Sequence, residues 1–226
     1  MKLTYFGHSC FAVEVAGTTL LFDPFITPNP LAAHIPLKDI KADFILLSHG
    51  HEDHVADAPA LARQTGARVI ANYETHLWLT RQGVQNSHPV NHGGRLREGV
   101  LSIQFVSAIH SSLLPDGTYG GNPGGFVVES PEGNFYYTGD TALTYDMKLI
   151  GETVPLKFSV MCIGDNFTMG AEDAIRAAEF IRCNQIVGVH YDTFPPIKID
   201  HEKAIEAFGL NGKILYLPAI GKSIEF

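Results

Sequence analysis

The sequence predicts an α/β sandwich in which two layers of sheet pack face to face and helices cover the outside. Short strand-like clusters alternate with single helices in both halves of the chain. The run 44–47 is continuously apolar, as expected of a strand buried on both faces, and 158–163 reads as a second buried strand. No low-complexity linker interrupts the 226 residues, so one domain spanning 1–226 is expected.

Three runs open the chain at 3–6, 11–15 and 19–22, rich in β-branched and aromatic residues and separated by Gly7 and Gly17. Ala16-Gly17-Thr18 reads as a hairpin turn, and 27–36 as a proline-punctuated loop. After strand 44–47 come a helix at 58–64 stopped by Gly66, a strand at 68–71, and a helix at 73–82 ended by Gly83. A strand at 101–106 precedes a hairpin of 126–130 and 135–138 around Pro131-Glu132-Gly133-Asn134. Strand 158–163 leads to the clearest helix, 171–182, where Ala174, Ile175, Ala178 and Ile181 recur at helical spacing. Strand 186–189 follows. Asp200 caps a last helix that Gly209 ends, and strands at 213–217 and 223–226 close the chain.

Composition narrows the functional classes. The formal net charge is -8, which disfavours a phosphate backbone as partner, and no Lys/Arg run marks a local basic patch. Cys10, Cys162 and Cys183 are odd in number and lack C-x-x-C spacing, so buried free thiols in a reducing compartment are expected. No apolar stretch approaches the ~18 residues of a membrane span, and the first residues lack a signal-peptide pattern. The expectation is a cytoplasmic protein with a small-molecule substrate, no membrane and no nucleic acid; self-association is left open.

The decisive stretch is Ser48-His49-Gly50-His51-Glu52-Asp53-His54, directly after a buried strand. Imidazole nitrogen and carboxylate oxygen suit zinc, manganese or iron. His49 and His51 lie two apart, so in extended chain they share one side and can grip one ion. Asp53 and His54, where the chain turns, can grip a second. His51 and His54 are three apart, so the helical H-E-x-x-H site is absent. The competing explanation, loop histidines making ordinary hydrogen bonds, does not account for four ligand-type residues in six positions.

This stretch resembles the metallo-β-lactamase superfamily signature. Gly7-His8-Ser9-Cys10, Phe22-Asp23-Pro24-Phe25, Ala108-Ile109-His110-Ser111 and Tyr137-Thr138-Gly139-Asp140-Thr141 resemble further motifs of it. The run from Ile163 to Gly170, with Val189-His190-Tyr191, resembles a branch of metal-dependent hydrolases related to ascorbate-6-phosphate lactonases. The resemblance implies a four-layer αββα sandwich of two mixed β-sheets. It implies a first ion on His49, His51 and His110, a second on Asp53, His54 and His190, and Asp140 bridging them. The two divalent ions would be zinc first, with manganese or iron as alternatives.

The chemistry implied is hydrolysis by a metal-bridging hydroxide, with Asp53 and Asp140 as catalytic carboxylates. A small-molecule lactone or ester is the expected substrate. The alternatives are a phosphodiesterase or nuclease on the same site, and a non-catalytic metal-binding regulatory module. Asp23 is a candidate to orient a ligand, or caps a turn. His8 lines the pocket, moves a proton or is structural. Asp165, Asn166 and Thr168 face substrate, or Thr168 simply helps start the following helix. Tyr191 polarises a carbonyl, protonates a leaving group or is a packed aromatic. The glycine-rich run 120–125 is a flexible pocket rim or an ordinary turn.

Overall fold

A computed structural model describes residues 1–226. Sheet A begins with β1 (Lys2–Gly7), β2 (Cys10–Val15), β3 (Thr18–Phe22) and β4 (Phe44–Leu46). The chain then forms α1 (Glu52–Val55), α2 (Ala58–Thr65), β5 (Arg68–Asn72), α3 (Tyr73–Arg81) and β6 (Ser87–Val90). Sheet B receives β7 (Arg95–Glu98), β8 (Leu101–Ser107), β9 (Gly124–Ser130) and β10 (Gly133–Tyr137). It continues through α4 (Met147–Thr153), β11 (Phe158–Cys162), α5 (Ala171–Phe180), β12 (Gln185–Val189), α6 (His201–Leu210) and β13 (Ile214–Tyr216). The final strand, β14 (Ser223–Glu225), returns to pair with β1.

Both sheets have seven strands, ordered β14-β1-β2-β3-β4-β5-β6 and β7-β8-β9-β10-β11-β12-β13. In each, the first three pairings are antiparallel and the last three parallel. This is the mixed-sheet αββα sandwich that the resemblance implied. α2 and α3 pack on β5 and β6, while α5 and α6 pack on β11 and β13.

The alternation of buried and half-buried residues in β1 and β8 marks strands with one face inward, whereas all of β11 is buried. Phe11 stacks on Phe22 at 4.5 Å, and Phe22 meets Phe126, Phe135 and Tyr137 of the facing sheet edge-on at 5.5–6.1 Å. Such aromatic contacts each add about 0.5–1.5 kcal/mol beyond the area they bury. A second apolar cluster, including Trp78, Leu61 and Val69, seats α2 and α3 on the outer face of sheet A. All three cysteines are free and buried. No helix is long and apolar enough to cross a membrane.

Several elements escape the sequence pattern. β6 contains Pro89 and β7 buries only Leu96, so each is a sheet-edge strand with little apolar signal. α4 buries only Met147 and Ile150 over seven residues. α6 runs through Gly209, expected to end it, and stops after Leu210. The glycine-rich run is closely packed. A Cβ at Gly124 would strike the Phe105 ring, one at Gly125 the Tyr137 carbonyl, and one at Gly120 the Ser112 hydroxyl. These glycines allow close packing of one chain segment against another.

Candidate metal centre

The site forms where the strand ends of the two sheets meet. His49 lies three residues past the end of β4, and His51 is still extended, at φ -63 and ψ 147. The single turn α1 then swings His54 inward to full burial and leaves the Asp53 side chain 25% exposed. Gly50 is needed between the two histidines because a Cβ there would lie 3.0 Å from Leu114 and 3.2 Å from the Gly120 Cα.

Two groups of nitrogen and oxygen atoms converge. His49, His51 and His110 form one: His49 Nε2 and His51 Nδ1 are 2.9 Å apart, and the His110 ring centre is 5.2 Å from each of theirs. Asp53, His54 and His190 form the other, joined by His8. Asp140 lies between them. Its Oδ2 is 2.9 Å from His190 Nε2, 3.3 Å from His54 Nε2 and 3.8 Å from His110 Nε2. All seven residues singled out as ligands are therefore brought together, from the loops after β4, β8, β10 and β12.

The site is built to take cations. His54 Nε2 and Asp140 Oδ1 are buried without a hydrogen-bond partner. Such groups are costly to bury unless something binds them. Burial opposes the charge on Asp140, but His190 and His54 outweigh it and hold the carboxyl well below its usual range. Burial likewise disfavours charge on His54, yet Asp140, Asp53 and Asp23 overcome it and hold the imidazole well above its usual range. In the metal-free protein a proton on His54 thus offsets the negative charge. His49, His51 and His110 are pushed down, chiefly by burial, which keeps them as neutral lone-pair donors.

The β-lactamase superfamily domain profile matches residues 2–190. A metal-dependent hydrolase of the UPF0173 family from Flavobacterium johnsoniae is 52% identical over 225 residues, covering all of both chains. The chain belongs to the metallo-β-lactamase superfamily. A second relative of the same family name, from Bacillus subtilis, is 42% identical over 231 residues. Igni18, a metallo hydrolase from the archaeon Ignicoccus hospitalis, superposes with a TM-score of 0.89 at 36% identity, covering 100% of this chain and 98% of that one.

Around the superfamily's loop positions, buried groups fix the ligands. Asp23 accepts from the Ser48 backbone and hydroxyl, from His54 Nδ1 at 2.8 Å and from the Tyr137 hydroxyl at 2.6 Å. With its oxygens so occupied it holds the His54 ring by Nδ1, leaving Nε2 turned toward Asp140. Burial lowers His8 to about 4 against the pull of Asp53, so it is a neutral ring. Its Nε2–H donates to Asp53 at 2.9 Å and its Nδ1 accepts from Thr193 at 3.0 Å. Asp23, His8 and His190 all take positive φ (40°, 55° and 58°), strain concentrated at the site.

The remaining candidates make other contacts. Asp165 accepts from the Asn166 backbone at 2.8 Å, and Thr168 donates to the Met169 carbonyl. The Tyr191 ring stacks on Tyr5 at 6.2 Å and abuts His201. None of the four reaches the cluster through a hydrogen bond. Sequence reasoning overlooked Ser48, Thr193 and Tyr137. Tyr137 was discoverable, since alternation from Phe135 along β10 turns it toward the same interior.

Proposed function

We propose that this chain is a dinuclear metal-dependent hydrolase acting on a small-molecule lactone or ester. The observation that carries the reading is the convergence of seven ligand-type side chains with buried, unpartnered His54 Nε2 and Asp140 Oδ1 among them. His49, His51 and His110 would hold one divalent ion, Asp53, His54 and His190 the other, and Asp140 both; zinc suits this donor set first. Two such ions supply Lewis acidity and a water acidified toward neutrality.

The protein's own groups do the rest. Asp140, fully buried, keeps the two halves of the donor set at fixed separation. Asp53 is the carboxylate that faces the opening, and the His8 ring holds it in place, so it is positioned to orient the attacking water. Attack at the carbonyl carbon breaks the ring or ester C–O bond, and the leaving oxygen takes a proton. The product acid then releases one proton at neutral pH. The chain's net charge of -8 supports a small molecule over a nucleic acid.

The test is proton release under pH-stat control by zinc-reconstituted protein. Lactones and phosphodiesters are offered separately, with Asp140→Asn as the blank. Release from lactones alone is expected. Release from phosphodiesters alone would replace this reading with a phosphodiesterase. Silence with both would favour a non-catalytic metal-binding module.

A further inference from the structure

The loop between β11 and α5 supplies none of the seven ligands, yet it is fixed between two that do. At its start the Ile163 backbone N–H donates to Val189 at 3.1 Å, and Gly164 approaches the His190 carbonyl so closely that no Cβ would fit. At its end the Met169 N–H donates to the carbonyl of Thr141, the neighbour of Asp140, at 2.9 Å. Between these anchors Asp165 and Asn166 both adopt left-handed backbone, φ 60° and 53°, and Asp165 N–H donates to Met169 at 3.1 Å. The closed loop leaves Phe167 54% exposed.

Ile109, the residue before His110, is 58% exposed. Its N–H donates to the Thr141 hydroxyl at 2.9 Å, and its carbonyl accepts from Ala142 at 3.1 Å. Thr141 therefore ties the backbone at Ile109 and at Met169, two residues after Phe167, to the segment that carries Asp140. One exposed apolar residue needs no explanation, but Ile109 and Phe167 both stand on segments hydrogen-bonded to the one that carries Asp140. The chain here also lacks the long cationic side chains. Segments 48–54, 107–112, 138–146 and 163–170 contain no Lys or Arg. Nothing in them would recognise a phosphate or carboxylate tail.

We propose that Ile109 and Phe167 together grip an uncharged alkyl or aryl group attached next to the bond that is cleaved. The proposal rests on the hydrolase reading for the bond but concerns how the substrate is selected. It places the preferred substrate among apolar-substituted lactones and esters rather than phosphorylated ones.

The test measures binding, independently of turnover. Zinc-loaded protein is titrated calorimetrically with acetohydroxamic and benzohydroxamic acid, which share a metal-chelating head and differ in the apolar group. Wild type is expected to prefer the aryl probe by at least about tenfold, the order expected when apolar area is removed from water. In the Ile109→Ala/Phe167→Ala double variant the ratio should fall toward one, the fall coming from the aryl probe. A ratio near one in wild type, or an unchanged ratio in the variant, would overturn the proposal. So would a variant whose only change is its oligomeric state by gel filtration, since the patch would then serve self-association. Lactone turnover with a wild-type ratio of one would sink this proposal alone. A tenfold ratio lost in the variant, without any turnover, would sink the hydrolase reading alone. Failure of both probes to bind would sink both.

Discussion

The two sheets share one plan but divide the work unequally. Strand for strand, β14 and β1–β6 repeat the pairing pattern of β7–β13. The turn after β1 holds His8 where that after β8 holds His110. Asp23 follows β3 as Asp140 closely follows β10, and His190 follows β12 where Asn72 ends β5. The loop after β4 carries four of the seven converging residues, while its counterpart after β11 carries none of them and presents Phe167 instead. Like positions thus hold unlike chemistry. In sheet A the strand-end Asp accepts four hydrogen bonds and orients a neighbour; in sheet B it keeps a bare oxygen and faces the donors.

That contrast between Asp23 and Asp140 is open to direct attack. The largest effect is expected from Asp140→Asn, which should abolish hydrolysis while the native secondary structure, read by circular dichroism, is retained. His49→Ala on the opposite loop should lower bound zinc, read by elemental analysis. Full activity in Asp140→Asn, or an undiminished zinc content in His49→Ala, would break the assignment.

Asp23→Asn should be milder. Its carboxylate touches His54 only through Nδ1, so a loss of about 10–100-fold in zinc affinity is expected, as for other groups that orient a metal-binding imidazole. Competition with a chromophoric chelator measures it. A loss equal to that of Asp140→Asn would erase the distinction between the two aspartates.

The pH dependence sharpens it further. The folded pKa of His54 is raised, so in metal-free protein its charged form contributes stability at pH below its unfolded value, and this is lost as pH rises through the folded one. Asp53 and Asp140 are depressed, so their contribution is present above the ordinary carboxylate range and lost on acidification. Zinc must displace the His54 proton. Its affinity should therefore rise with pH from neutral into the weakly alkaline range, with proton release on binding; a flat profile would contradict a protonated His54.

The smallest effect is on stability. Gly139 sits at φ 61°, and a Cβ would collide with the Gly124 carbonyl. Gly139→Ala should cost about 1–3 kcal/mol, visible as a lowered melting temperature. An unchanged melting temperature would mean that the Asp140 loop yields more easily than its packing indicates.

The same asymmetry explains what was legible in the sequence. His49, His51, Asp53 and His54 are crowded onto one loop, so spacing alone exposes them. His110, Asp140 and His190 stand singly at three strand ends, and only the resemblance tied them to the first four. Buried strands such as β11 announce themselves by mostly apolar runs, whereas β6 and β7 lie at sheet edges with one buried position each and leave little trace. Asp165 and Thr168 bond within their own loop, and polar residues before a helix carry no signal that separates a substrate contact from a helix start. Phe167, the residue among them that projects, is apolar, and a search for polar chemistry passes over it.

The distribution of donors has a mechanical corollary. Each proposed ion takes ligands from both halves of the chain: His49 and His51 with His110, and Asp53 and His54 with His190. Metal would then be a rivet through the sandwich, clamping two sheets that otherwise adhere by aromatic packing. Resistance to heat and to proteolysis would track the free zinc concentration. A cell that starved the protein of metal would loosen its architecture as well as silence its chemistry.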